Sequence, residues 1–188
     1  KARAECDCSA LHKRFSDEDI YRKNLPLNSS CKNLYSIAEK IRCETLGGQM
    51  LKGIQKNFTD NYNQMINLKR KDQLKTKEDV TVNEAFELYM LKNFHNIELN
   101  SLTSKMLSFW ENDFNRSINK HIKFLKDNLE DQNTYSSRFS EILQKMDIFQ
   151  TEDDDESREQ NQDEETNNPS NENQDNDEEN QNERKKDE

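Results

Sequence analysis

Between residues 34 and 46, Leu34, Ile37, Ala38, Ile41 and Thr45 recur at three- and four-residue spacing. That spacing puts one stripe of a helix against a core. Gly47 and Gly48 follow at once, and the chain has only one further glycine. Glycine takes the left-handed conformation that closes a helix, so the pattern predicts a helix over 34–46 with a glycine stop. The same period fills the rest of the first 150 residues, where Pro26 is the sole proline and alternation of the strand kind is rare.

The stripes order the chain. A short helix is expected over 8–15, with Leu11 and Phe15 on one face. A turn-rich segment follows through Asn24, Pro26 and Asn28, with Ser29 or Ser30 as N-cap of the next helix. After the glycines, Met50, Ile54, Phe58, Tyr62, Met65 and Ile66 form another helical face. Residues 69–79 are almost wholly polar and read as a solvated linker. Thr81 and Glu84 have capping-box spacing and open a helix that turns Phe86, Met90, Leu91 and Phe94 inward. One long helix is expected over 104–129 along Met106, Trp110, Phe114, Ile118, Ile122, Leu125 and Leu129. A last one covers 134–149 with Phe139, Ile142, Leu143 and Met146. One-sided helices of this kind hide their stripes by bundling. The expected fold is all-α: an irregular helical bundle over 1–150 and a disordered acidic tail over 151–188.

Charge sharpens that division. The 188-residue chain carries a formal −10, but residues 151–188 hold 17 Asp or Glu against four Lys or Arg, a net −13. The body is left at +3. The tail has no apolar period and cannot bury enough surface to offset its ordering entropy. Such a balance argues against nucleic acid, which selects a basic face, and against anionic lipid. No apolar run approaches the roughly 18 residues that span a bilayer. The first residues lack the apolar core of a signal peptide, and the chain starts with lysine, as a fragment or processed form would.

Recognisable catalytic chemistry is sparse. Gly48 and Gly53 have phosphate-loop spacing, but Ile54-Gln55 follow where a lysine and a hydroxyl are needed. His12, His95 and His121 are far apart, and a lone histidine on a polar helix face is ordinarily solvated. Cys6-x-Cys8 with His12 is poor zinc spacing. Carboxylate pairs such as Glu39 and Glu44, or Asp17 with Glu18 and Asp19, suit acid–base work. They equally suit local ion pairs and the first-turn helix dipole; Arg42 and Glu39, at i and i+3, make a sensible local pair. Four cysteines (Cys6, Cys8, Cys31 and Cys43) without a secretion signal read better as free thiols than as disulfides. Three N-x-S/T sequons, at Asn28, Asn57 and Asn115, arise readily in so Asn-rich a chain.

The run Ala38-Glu39-Lys40-Ile41-Arg42-Cys43-Glu44-Thr45-Leu46-Gly47, with Met50, Gly53 and Asn57, resembles a known signature. It is the E-x-x-R-x-E-x-x-G … M-x-G-(V/I)-x-x-N signature of the CobT subunit family of aerobic cobaltochelatase. Residues 3–11 are similar to that family's RG-x-AD-x-x-AL segment, with Ala4 in place of a usual glycine. Ser16-Asp17 stands where a His-Asp pair is usual, and Leu25-Pro26 where Leu-x-Pro is common. Leu143 to Asp147, running into Glu152–Glu156, is similar to the family's last helix and acidic linker. The likeness covers most of 1–156.

The resemblance implies a non-catalytic adaptor in an ATP-dependent complex that inserts cobalt into hydrogenobyrinic acid a,c-diamide during aerobic cobalamin synthesis. It implies an AAA+ ATPase partner, CobS, a large subunit, CobN, a hetero-oligomer and a cytoplasmic setting. No cofactor is expected in this chain; ATP, magnesium and cobalt belong to the whole complex. A von Willebrand factor A-type domain is expected beyond the linker. Two other readings stand beside it: an acidic helical interaction module of a chaperone-like kind, and a secreted disulfide-bonded surface protein. No catalytic or metal residue is expected. The candidate partner-interface or family-signature residues are Glu39, Arg42, Glu44, Gly47, Gly53 and Asn57. The alternative is that they only shape the helix turn. A charge reversal at Arg42 separates the two, because an exposed charge alters stability by about 0.5 kcal/mol at most.

Overall fold

The computed structural model describes residues 2–68, 74 and 76–146. Among them every regular element is helical, as the all-α reading expects. The elements are α1 (Ala2–Phe15), α2 (Glu18–Lys23), α3 (Ser29–Met50), α4 (Lys52–Leu68) and α5 (Val82–Met90). They continue with α6 (Ser101–Ser108), α7 (Glu111–Ser117), α8 (Ile122–Asp127) and α9 (Gln132–Gln144). The acidic segment 151–188, and the expected boundary before it, lie outside the described residues.

The central element is α3. Of the expected stripe it buries Leu34, Ala38 and Ile41 and half-buries Ile37 and Thr45, and it also buries Tyr35 and Leu46, which lie off that stripe. Helices α1, α4, α5 and α9 pack around it. Its N-cap is Asn28, one residue before the expected serines, and the Asn28 side chain accepts from the Ser30 and Cys31 amides. Its end differs more. Gly47 and Gly48 lie inside the helix, neither glycine has a positive φ, and the chain turns only at Leu51, in extended conformation. The reason for Gly47 is proximity. A Cβ there would sit 2.4 Å from Leu11 Cδ1, so the missing side chain is the space that α1 occupies. Here glycine serves close approach and not a left-handed stop.

The expected single helix over 104–129 is three. At Trp110 and again at Ile118 to His121 the bonds tighten to i→i−3, with Trp110 N–H on Leu107 O at 2.9 Å and His121 N–H on Ile118 O at 2.8 Å. These 3-10 turns break the axis but keep the stripe inward, since Met106, Phe114, Ile118, Leu125 and Leu129 are all buried. The first break lets the Trp110 indole donate to Val80 O at 3.0 Å. The capping box at Thr81 and Glu84 is present as expected. The expected 8–15 helix starts earlier, at Ala2, and α2 occupies part of the supposed turn segment, capped by Asp17. The buried Gln132 amide holds that cap, accepting from Asp17 N–H at 2.7 Å and donating to Asp17 O at 3.1 Å. The last helix, expected over 134–149, runs from Gln132 to Gln144.

The described part of the supposed linker is solvated at Thr76, Glu78 and Asp79 but anchored at Leu74 and Lys77. Leu74 is buried, as is Val80 just after the segment; Lys105 Nζ donates to Leu74 O, and Lys77 pairs with Asp113 at 2.7 Å. All four cysteines are free thiols. Of the sequon asparagines, Asn28 caps α3, Asn57 bonds Asp7, and Asn115 accepts from the Tyr89 hydroxyl.

Candidate functional site

Two polar constellations are buried along α3, one on each side of the helix. The first is built on Arg42, which is 1% exposed. Its guanidinium grips Glu39 with two hydrogen bonds, Nε to Oε2 at 2.9 Å and Nη2 to Oε1 at 2.8 Å. Nη1 donates to Leu129 O at 2.7 Å, and Nη2 also donates to Phe15 O. Phe15 ends α1, and Leu129 follows α8. The planar fork thus ties two other segments to α3 and satisfies carbonyls that have no helical partner. The Tyr135 ring lies under the guanidinium at 5.9 Å. Burial alone would lower the Arg42 pKa, but the Glu39 bonds and charge outweigh it and raise it.

The second constellation floors a cleft of about 690 Å³ between α1, α3 and α4. Ala4, Phe58 and Met65 give it apolar wall, and Cys8, Lys40, Glu44, Asn61 and Tyr62 give it polar lining. Glu44, 2% exposed, accepts the Tyr62 hydroxyl on Oε2 at 2.6 Å. Burial raises its carboxyl pKa, while the Tyr62 bond and the Lys40 charge pull the other way. Burial and the neighbouring Glu44 carboxylate push the Cys8 thiol up to about 11, far from a reactive thiolate. Lys40 reaches Glu87 on α5 at 3.2 Å.

His95 stands behind Glu44, its Nε2 3.7 Å from Oε2. It ends a π turn, Leu91–His95, which closes through left-handed Asn96. Its side chain is 7% exposed, edged by the Phe58 and Tyr62 rings. Burial, then the Lys40 charge, lowers its pKa to about 4, with a hydrogen bond to the Ile41 backbone opposing. At neutral pH the imidazole is therefore uncharged, and the 3.7 Å contact is not an ion pair. The expectation that this histidine is solvated on a polar face is corrected. The wider i→i−5 turn swings it inward, a geometry that no residue type announces.

His95 has a consequence for pH dependence. The unfolded chain takes its proton near the ordinary 6.5, the folded chain only near 4, so this group's stabilising contribution is full above 6.5 and falls away towards 4. Glu44, with a raised folded pKa, acts in the opposite sense from the usual carboxylate range upward. A His95→Gln variant keeps Glu44, so it is expected to lose less stability than the parent between pH 6.5 and 4. Urea midpoints at each pH measure this. Parallel curves would show that His95 takes its proton in the folded state as readily as in the unfolded one.

The six residues singled out in the sequence fall into two groups. Glu39, Arg42, Glu44 and Gly47 are buried, Glu44 of these lining the cleft. Arg42 is not the exposed charge that its reversal test assumes. Gly53 is exposed, with nothing within 4 Å of a Cβ built on it. Asn57 is half-buried and donates to Asp7 on α1 at 2.8 Å. The Glu39–Arg42 local pair is present. Lys40, Tyr62 and Cys8, which complete the cleft floor, and His95 behind it are not among these six. The sequence puts Tyr62 on an apolar stripe and gives Cys8 only as a free thiol with poor zinc spacing, and nothing in it links either to Glu44. No group of three or more His, Cys, Asp or Glu side chains is placed to hold a metal among the described residues, nor is any helix there long and apolar enough to cross a membrane.

The comparisons agree with the resemblance in the α3–α4 segment. The family described as cobalamin biosynthesis protein CobT matches residues 1–188. No curated protein matches, and no solved structure matches. With the whole chain covered, the protein belongs to the CobT family and has a role in cobalamin biosynthesis.

Proposed function

We propose that this chain is the adaptor part of an ATP-dependent cobaltochelatase, a non-catalytic scaffold between an AAA+ ATPase subunit, CobS, and the large subunit, CobN. Cobalt is the cargo, hydrogenobyrinic acid a,c-diamide the acceptor, and the setting the cytoplasm. ATP and magnesium act on the ATPase subunit. The observation that carries this reading is the family match over the whole chain. In it, residues 1–150 are the docking body and 151–188 a disordered acidic tether that self-repulsion keeps extended.

The geometry supports one docking surface better than another. The Arg42 and Glu44 side chains are buried, whereas the tip of the α3–α4 hairpin is exposed. Met50 is 52% and Leu51 56% exposed there, beside exposed Gly53. Large apolar side chains paired on a tip suit a partner groove. Leu51→Asp tests this by co-purification with the ATPase subunit. The variant is expected to fold as the parent does, within about 0.5 kcal/mol, and to lose its partner. Retention of the partner would remove the tip from the interface. A parent chain that never co-purifies with that subunit would remove the adaptor reading itself.

A further inference from the structure

At and just behind the floor of the α1–α3–α4 cleft, Glu44 on the lining and His95 beneath it present two hydrogen-bond acceptors to each other without a donor between them. The His95 imidazole is held through one nitrogen by the Ile41 backbone, which leaves Nε2 an acceptor, and Nε2 has no partner. Its nearest polar neighbour is Glu44 Oε2, 3.7 Å away and also an acceptor. Glu44 receives the Tyr62 hydroxyl and the Cys8 thiol, neither of which carries positive charge. Among the described residues no Lys or Arg forms an ion pair with it; Lys40, one turn earlier, is paired to Glu87. The Lys40 charge favours the Glu44 carboxylate from a distance, but a buried carboxylate without an ion-pair partner is costly, and this one lines a cleft.

The lining specifies what would relieve it. The charged side chains there are Glu5, Glu44 and Lys40, a net negative set, so an anionic ligand is disfavoured. Phe58 and Met65 offer an apolar wall, and the Tyr62 ring an aromatic face. An ammonium carries three donors, and Glu44 is the buried carboxylate acceptor on the lining. The volume of about 690 Å³ is that of a small-molecule site and lies within the usual pocket range of roughly 300–1,000 Å³.

We infer that this cleft binds a small organic amine, its primary ammonium seated against Glu44 and its apolar stem lying along Phe58 and Met65. The site is independent of the adaptor reading, since it uses none of the residues at the α3–α4 tip.

Three probes of matched shape test it on the full chain: 2-phenylethylamine, the neutral 2-phenylethanol and the anionic 3-phenylpropionate. Amide chemical shifts report both affinity and place. The amine is expected to move Cys8, Glu44 and Tyr62, with the alcohol at least ~10-fold weaker and the acid weaker still. Glu44→Gln should weaken the amine by ~10-fold or more. Lys40→Met removes a like charge and should tighten it. Equal affinity for alcohol and amine would overturn the proposal. So would unaltered amine affinity in Glu44→Gln, or shifts confined to residues 151–188. If Glu44→Gln does not fold, the ranking of the three probes on the parent and the direction of the Lys40→Met change decide the matter.

Discussion

Arg42→Ala is expected to remove about 3–5 kcal/mol of folding stability, the loss typical of breaking a buried ion pair from one side. The side chain is 1% exposed and its partner Glu39 is 2% exposed, so water cannot replace the lost bonds. Truncation leaves the Glu39 carboxylate buried and uncompensated. It also strips the donor from part-buried Phe15 O and from buried Leu129 O; an orphaned buried carbonyl costs about 1–3 kcal/mol. The sign of the pair's net worth is a separate matter. Exchanging both members for apolar residues is often neutral when packing is kept, so Arg42→Met with Glu39→Leu should recover part of the loss but not the two carbonyl bonds. Denaturant midpoints with an unchanged slope provide the measurement. A single-variant loss below about 1 kcal/mol would mean that water or a rearranged side chain takes the guanidinium's place.

That expectation reverses what the sequence suggests for the same residue. Arg42 and Glu39 stand at i and i+3, a spacing that reads as a surface pair because most such pairs are exposed. The local pair itself was legible, and the geometry keeps it. Its burial was not, because burial follows from where α1 and the α8–α9 connection come to rest, and both are held by Arg42 itself. The same limit applies to the cleft. Glu44, Tyr62 and His95 are separated by 18 and 33 positions along the chain, and only tertiary packing brings them together. What could be read locally was read well. The Thr81 capping box is in place, and the apolar stripes pick out the buried phenylalanines and Tyr62 but miss buried Tyr35, Tyr89 and Tyr135. The helix breaks at Trp110 and Ile118 were illegible for a different reason. A 3-10 turn needs neither glycine nor proline, and a stripe at three- and four-residue spacing passes through it without interruption.

Gly47 gives the second large expectation, and it rests on distance. A Cβ at this position would approach Leu11 Cδ1 to 2.4 Å, Cδ2 to 2.5 Å and Cγ to 3.0 Å. Leu11 is 5% exposed and has little room to withdraw. Gly47→Val is therefore expected to cost about 3 kcal/mol, the upper part of the ordinary range for overpacking a core. This outweighs the roughly 0.5–1 kcal/mol that a helix gains on losing an interior glycine. The glycine-stop reading makes a different forecast. It would place the penalty in a left-handed backbone, the same whatever surrounds it, and Gly48 would share it. Gly48 has ordinary contacts instead, the nearest at 3.4 Å to Gln55 Cβ, so Gly48→Ala should be close to neutral. Leu11→Ala separates the two causes. Alone it costs about 2–5 kcal/mol as a cavity; combined with Gly47→Val the new side chain fills that cavity, and the total should fall well short of the sum. Strict additivity would point away from the Leu11 contact and back to the backbone.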